Sequence, residues 1–201
     1  MAARYGLLAH MLDASNAFTG SDLDKPNCME IPEGLQDFDP DAMEGMVLEL
    51  RKSLYGLHQS ANLWHWKITS FLMKIGFRPI TADPSMFINN RGLIIALYMD
   101  DMVIFRHEEK EISKVKKKLK EFHPMMDSSL VNKLLGICFT WGQDRSIHLD
   151  QESYASQILE EFGMAKCKPS QTPISLSVQL SDTDSSRLGR SDHKLFQRLI
   201  S

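Results

Sequence analysis

Apolar positions dominate LLAHMLD (7–13), which reads as a strand running into the loop ASNAFTGSD. CMEI (28–31) and MVLEL (46–50) predict the two arms of a ribbon, with the acidic, proline-containing insert IPEGLQDFDPDAMEG between them. From Gln59 to Ile75 the residues Leu63, Trp66, Ile68, Phe71, Leu72 and Ile75 recur with a helical period, and Gly76 supplies a stop. MFINN and LIIALYM flank the turn-like Asn90-Arg91-Gly92 and predict a hairpin, with MVIF as a further strand. EEKEISKVKKKLKEF spaces Ile112, Val115, Leu119 and Phe122 for one helix face. LLGICFTW and SIHLD flank Gly142 to Arg145 as a second hairpin, and QESYASQILEEFGM predicts an amphipathic helix ending at Gly163. This order of elements predicts an α+β fold, a sheet with helices on one face.

Composition changes this picture little. Of 201 residues, 43% are hydrophobic and 24% charged, the values of an ordinary globular domain. The longest apolar run is about eight residues, short of the ~20 that span a bilayer. Neither a membrane span nor a secretory leader is expected. Cys28, Cys138 and Cys167 are far apart and odd in number. They suit a reducing compartment rather than a disulfide framework or zinc ribbon. After Lys166 the text turns rich in Pro and Ser, which predicts an extended or mobile tail over 169–201.

Charge adds an asymmetry. The net charge is −3, yet residues 1–47 carry two basic residues, Arg4 and Lys25, against nine acidic ones. An acidic end and a more basic remainder fit a metal site beside a track for a phosphate backbone.

The candidate chemistry lies in LYMDDMVIF (97–105). Asp100 and Asp101 interrupt a run that is otherwise apolar from Leu93 to Phe105. Two adjacent carboxylates in that setting cost roughly several kcal/mol unless something pairs with them. Either the chain turns and exposes both acids, or a cation sits between them. Two-residue hairpin turns prefer Asn-Gly or Gly-X, and Met99-Asp100-Asp101-Met102 has no glycine, so strain at positive φ is expected. If the strand ending at Asp13 neighbours this hairpin, three carboxylates meet at one sheet edge. Mg2+ takes such hard oxygen ligands. Two ions about 3.5–4 Å apart activate a hydroxyl and neutralise a leaving pyrophosphate. Plain turn chemistry is the competing reading of the Asp pair.

Tyr98-Met99-Asp100-Asp101 resembles the YxDD signature of reverse transcriptases. LDASNAF, CMEIPEGL, LRKSLYGLHQSANLW, GFRPITADPSMFI, LLGICF and SIHLDQESYASQILEEFGMAKCKPSQTP follow in the order and spacing of the reverse transcriptase of copia-type LTR retrotransposons. The likeness runs from about Ala3 to the C-terminus. It implies an RNA-directed DNA polymerase working by in-line attack of a primer 3′-hydroxyl on the α-phosphate.

By position, the resemblance implies that Asp13, Asp100 and Asp101 are the catalytic carboxylates. They would hold two Mg2+ ions, or Mn2+ in their place, with Ala14 offering its backbone carbonyl to a metal. Phe18 would lie under the incoming sugar and exclude a 2′-hydroxyl. Tyr55, Gly56, Gln59, Tyr98 and Met99 would line the nucleotide and template pocket. The implied architecture is a polymerase palm over 1–140, a ferredoxin-like antiparallel sheet with helices on one face. A hairpin and helix leading into a partial thumb follow over 141–168. Only 12 residues precede Asp13, so the fingers are expected to be largely missing, as is RNase H. The implied partners are an RNA or DNA template, a primer and dNTPs, without a membrane. The implied location is intracellular, in a cytoplasmic virus-like particle or the nucleus. The rival functions are a catalytically silent remnant, or a co-opted nucleic-acid-binding module, and another two-metal palm enzyme such as a cyclase.

Other features have plainer readings. KVKKKLK (114–120) is read as the solvated face of a helix rather than a backbone track. Trp64 and Trp66 are both read as core, and Met125-Met126 as core filler. His65, His107, His123, His148 and His193 show no metal spacing.

Overall fold

The computed structural model describes residues 2–39 and 45–172, together with 189, 194, 196 and 197. The tail expected at 169–201 therefore lies mostly outside the described residues. The chain divides into two compact units, residues 1–132 with 141–147, and residues 133–140 with 148–201.

In the first unit a short helix, α1 (Ala2–Tyr5), precedes β1 (Leu8–Ala14). The ribbon follows as β2 (Asp22–Glu30) and β3 (Val47–Lys52), paired antiparallel. Then come α2 (Ser60–Lys74), β4 (Phe77–Ile80), β5 (Asp83–Asn89), β6 (Ile94–Tyr98) and β7 (Asp101–Arg106). Helix α3 (Glu109–Phe122) and β8 (Met125–Leu130) complete the set. Six strands form one sheet in the order β4-β5-β6-β7-β1-β8, antiparallel at every junction.

The pleat sorts side chains onto two faces. Leu12 and Ala14 of β1, Ile95 and Leu97 of β6, and Met102 and Ile104 of β7 are buried on one face. There they pack with Trp64, Ile68 and Leu72 of α2 and with Ile112 and Leu119 of α3. Each fully buried large side chain of this kind contributes about 1.5–3 kcal/mol. The opposite face carries Asp13, Met11 and Ala9 opposed to Asp101, Val103 and Phe105. The α+β architecture and the antiparallel sheet match the expectation.

Three readings change. The helical stripe of α2 runs through Trp64, Ile68 and Leu72, so Trp64 is core while Trp66 is 77% exposed. The expected stripe runs through Trp66, but residues two apart point to opposite sides of a helix, so only one of the two tryptophans can face the core. Met126 is 65% exposed rather than core filler. Lys116, read as part of a solvated face, is buried. Strands β4 and β8 were not anticipated. Both lie at sheet edges, where Pro79 is tolerated and MMDSSL needs no apolar alternation.

β9 (Lys133–Leu134) turns through Leu135 and Gly136 into β10 (Ile137–Trp141), all but Trp141 within the second unit. Both turn residues have positive φ, 51° and 77°, the backbone of a two-residue hairpin turn. β11 (Ile147–Asp150) completes a three-stranded sheet in the order β11-β10-β9. Helix α4 (Glu152–Glu161) follows and stops at Gly163, whose φ is 66°. Among the described residues no helix is long and apolar enough to cross a membrane.

Candidate active site

Asp13 is the penultimate residue of β1 and stands directly opposite Asp101, the first residue of β7. Directly opposed residues have Cβ atoms about 4.5–5.5 Å apart, so two carboxylates share one side of one ladder. Tyr98 also pairs with Asp101, which leaves Met99 and Asp100 as the two turn residues. The expectation that Asp100 and Asp101 together occupy the turn is thus corrected by one position. Register requires this, because Asp101 must bond to Tyr98 on one side and Asp13 on the other.

The expected strain is present at Met99, whose φ is +50°. Two bonds steady the turn. The Trp64 indole Nε1–H donates to the Met99 carbonyl at 2.9 Å, and the Ala14 N–H donates to the Asp100 carbonyl at 2.9 Å. The second bond ties the end of β1 to the turn, so all three acids belong to one rigid corner.

The acids feel one another. Burial raises the Asp100 carboxyl above its usual range and the charge of Asp13 adds to this, while a Tyr55 hydrogen bond and His123 oppose it. Burial also raises Asp101, reinforced by Asp13 and then Asp100. The Tyr55 hydroxyl donates to Asp100 Oδ2 at 3.3 Å. Burial and the nearby carboxylates raise the Tyr55 phenol in turn. Among the described residues, Asp100 Oδ1 is buried without a hydrogen-bond partner.

Phe18 lies in a single 3-10 turn (Phe18–Gly20) after β1, with its ring 4.6 Å from that of Tyr55. Gly56 follows Tyr55 at φ +96°, a backbone open to glycine, and Gln59 is the N-cap residue of α2. Among the described residues no hydrogen bond joins Gly56 or Gln59 to the carboxylates. Phe18, Tyr98 and Met99 instead line a cavity of about 240 Å3 with Asn62, His65 and Ser85. A separate cavity of about 550 Å3 is lined by α3 residues such as Val115 together with Phe77 and Arg91, and includes none of the predicted site residues.

Three supports were not legible beforehand. Trp64 props the turn. His123 is buried, its ring 4.9 Å from that of Trp64, and its Nε2–H donates to the Ser15 carbonyl at 2.8 Å. Gly20 permits this, since a Cβ there would come within 2.7 Å of His123 Cε1. The i, i+4 spacing of Trp64 with Ile68 was the available signal for the first. Nothing local marks the other two.

No three His, Cys, Asp or Glu side chains among the described residues converge as a ready-made metal cage. The donor set nevertheless fits a hard divalent ion. Its ligands are all oxygens, one is buried and unpartnered, and Mg2+ is ordinarily held by one or two carboxylates with substrate phosphates completing the shell.

The family model described as reverse transcriptase (RNA-dependent DNA polymerase) matches residues 1–176. The chain is similar to the retrovirus-related Pol polyprotein from transposon TNT 1-94 of Nicotiana tabacum, 34% identical over 186 residues, 90% of this chain and 14% of the polyprotein. It is similar to the Pol polyprotein from transposon RE1 of Arabidopsis thaliana, 31% identical over 173 residues, 85% of this chain and 12% of that one. A putative transposon Ty5-1 protein of Saccharomyces cerevisiae is 29% identical over 181 residues, 88% of this chain and 58% of its own length. The chain thus spans a minor share of the two plant polyproteins. With the match covering most of its length, the chain belongs to the reverse transcriptase (RNA-dependent DNA polymerase) family, in the copia-type retrotransposon branch.

Proposed function

We propose that this chain carries the nucleotidyl-transfer centre of an RNA-directed DNA polymerase, joining dNTPs to a primer 3′-hydroxyl on an RNA or DNA template. The observation that carries the reading is the opposition of Asp13 and Asp101 across β1 and β7, with Asp100 in the adjoining turn. On this reading residues 1–140 are a palm and 141–168 lead into a thumb. The retrotransposon relatives support an intracellular setting as part of a longer polyprotein.

Asp13, Asp100 and Asp101, with the Ala14 carbonyl, are the residues that would hold Mg2+ or Mn2+. A bound pair of ions supplies activation of the primer hydroxyl and charge neutralisation of the leaving pyrophosphate. The protein's own groups do the rest. The Tyr55 hydroxyl orients Asp100 through Oδ2, leaving Oδ1 for the ion. Tyr55 also buttresses Phe18, placing a rigid aromatic wall where a 2′-hydroxyl would otherwise fit. Tyr98 and Met99, both exposed beside the acids, offer surface to the nucleotide and primer end, and Gly56 and Gln59 do so for the template. The face of the sheet opposite the helices is the one that meets nucleic acid.

The test is primer extension on an RNA template with purified protein, Mg2+ or Mn2+, and Asp100→Asn as control. Extension that disappears in the control supports the proposal. Absence of extension from the folded protein supports a silent or binding-only module instead.

A further inference from the structure

Strand β8 carries one residue more than the stretch of β1 it pairs with. Its ends are held by bonds from Val131 N–H to the Ala9 carbonyl (2.8 Å) and from Ser15 N–H to the Pro124 carbonyl (3.0 Å). Between these anchors lie residues 10–14 of β1 and residues 125–130 of β8. The surplus is absorbed as a bulge at Ser128, because Met11 faces Ser129 while Leu12 faces Asp127. Ser129 accordingly adopts φ +57°.

Where this bulge sits has a chemical consequence. A one-residue shift sends each side chain it passes to the other face of the sheet. With the bulge at Ser128, Met126 stands opposite Asp13 and Asp127 stands opposite Leu12, on the helix face. Were the bulge nearer Pro124, the register of Met11 with Ser129 would continue and place Asp127 opposite Asp13. The site would then hold a fourth carboxylate.

Asp127 is instead gripped from the helix side. Its Oδ1 accepts from Lys116 Nζ at 2.5 Å and, across the bulge, from Ser129 N–H at 3.0 Å. Its Oδ2 accepts from Lys120 Nζ at 2.9 Å. Lys116 is buried and its Nζ also donates to His10 Nδ1 at 2.9 Å, on β1 itself. One ammonium therefore joins α3 to both strands that flank the bulge.

We propose that Lys116, assisted by Lys120, is a positioning residue that locks the bulge at Ser128 and so keeps the Asp127 carboxylate out of the cluster at Asp13. This inference rests on the metal-dependent reading of that cluster for its meaning, not for its geometry. A fourth carboxylate would bind a divalent ion more tightly and occupy coordination positions that substrate phosphates need. The clamp thus holds the site at the carboxylate number suited to turnover.

The register can be read directly by NMR on the isotope-labelled full chain without divalent ions, from the cross-strand backbone contacts of Asp13. In the unaltered protein and in Lys116→Arg, Asp13 contacts Met126. In Lys116→Met the contact moves to Asp127, and Mn2+ titration of the same variant shows binding tightened about tenfold. Adding Asp127→Asn to Lys116→Met removes the excess affinity. Lys120 is more exposed, so Lys120→Gln is the second variant, expected to show both registers. An unchanged Asp13–Met126 contact in folded Lys116→Met, or in Lys120→Gln should the first not fold, overturns the proposal. Mn2+ that fails to broaden Asp13, Asp100 and Asp101 in the unaltered protein removes the metal reading separately, leaving the register result to stand.

Discussion

The indole of Trp64 donates to the carbonyl of Met99 at 2.9 Å, so a core helix directly supports the strained turn that presents Asp100. Trp64→Phe keeps the packing but leaves that carbonyl short of a donor, a loss of about 1–3 kcal/mol. Met99→Gly relieves a left-handed backbone worth about 1–2 kcal/mol. Urea unfolding should therefore show a lowered midpoint for the first and a raised one for the second. Trp66→Ala, on the exposed side of the same helix, should stay within about 0.5 kcal/mol of the parent.

The clustered acids should trade stability for chemistry. Asp101→Asn removes a carboxylate that burial and two neighbouring charges hold above its usual range. In ion-free buffer at pH 7 this variant should unfold at higher urea than the parent. Its primer extension, and that of Asp100→Asn, should fall on the order of 10³-fold. A variant that gains stability yet keeps its extension rate would remove Asp101 from the proposed chemistry.

Phe18→Ala should admit ribonucleotides. The ring is held by Tyr55 at 4.6 Å between centroids, so its loss opens space that nothing adjacent fills. Discrimination by steric fit of this kind is worth about 1–3 kcal/mol, or roughly 10–200-fold. The ratio of kcat/KM for dNTP over rNTP should fall by that much, and an unchanged ratio would count against the gate.

Acid should weaken the fold in two separate windows. Burial and the neighbouring Lys116 charge hold His10 below its usual value of 6.5, against Glu109 and Asp127. The unfolded chain then takes up the proton first, so this stabilisation is present above 6.5 and is lost as pH falls through the depressed value. Burial alone would raise Asp127, but hydrogen bonds from Lys116, Lys120 and Ser129 win and hold it at about 2. Its contribution is present above 3.8 and is lost as pH falls from there through about 2, about 1–2 kcal/mol once solvent screening is allowed for. Asp100 and Asp101, raised by burial and by Asp13, act oppositely and gain stability as acid neutralises them. Urea midpoints from pH 8 to 2 should show the upper window flattened in His10→Gln and the lower one in Asp127→Asn.

The candidate acids Asp13, Asp100 and Asp101 stood out in the sequence because their signal is local. Carboxylates interrupting apolar strands stand out against their neighbours, and a turn without glycine announces strain. The long elements were equally plain, since periodicity over α2, α3 and the β6–β7 hairpin needs only one segment at a time. What local pattern could not supply was partnership. Asp13 faces Asp101 because β1 lies between β7 and β8, a choice of neighbours made by burial of one common face. Trp64 rather than Trp66 turns inward, and Lys116 rather than Lys117 is buried, because the sheet admits one stripe of each helix. Edge strands β4 and β8 escaped notice because an edge tolerates proline and polar text. The chain by itself therefore determined which groups could do chemistry and which segments would be regular. Only tertiary packing decided which carboxylates meet and which, like Asp127, are turned away, because strand register and facing depend on contacts between residues far apart in sequence.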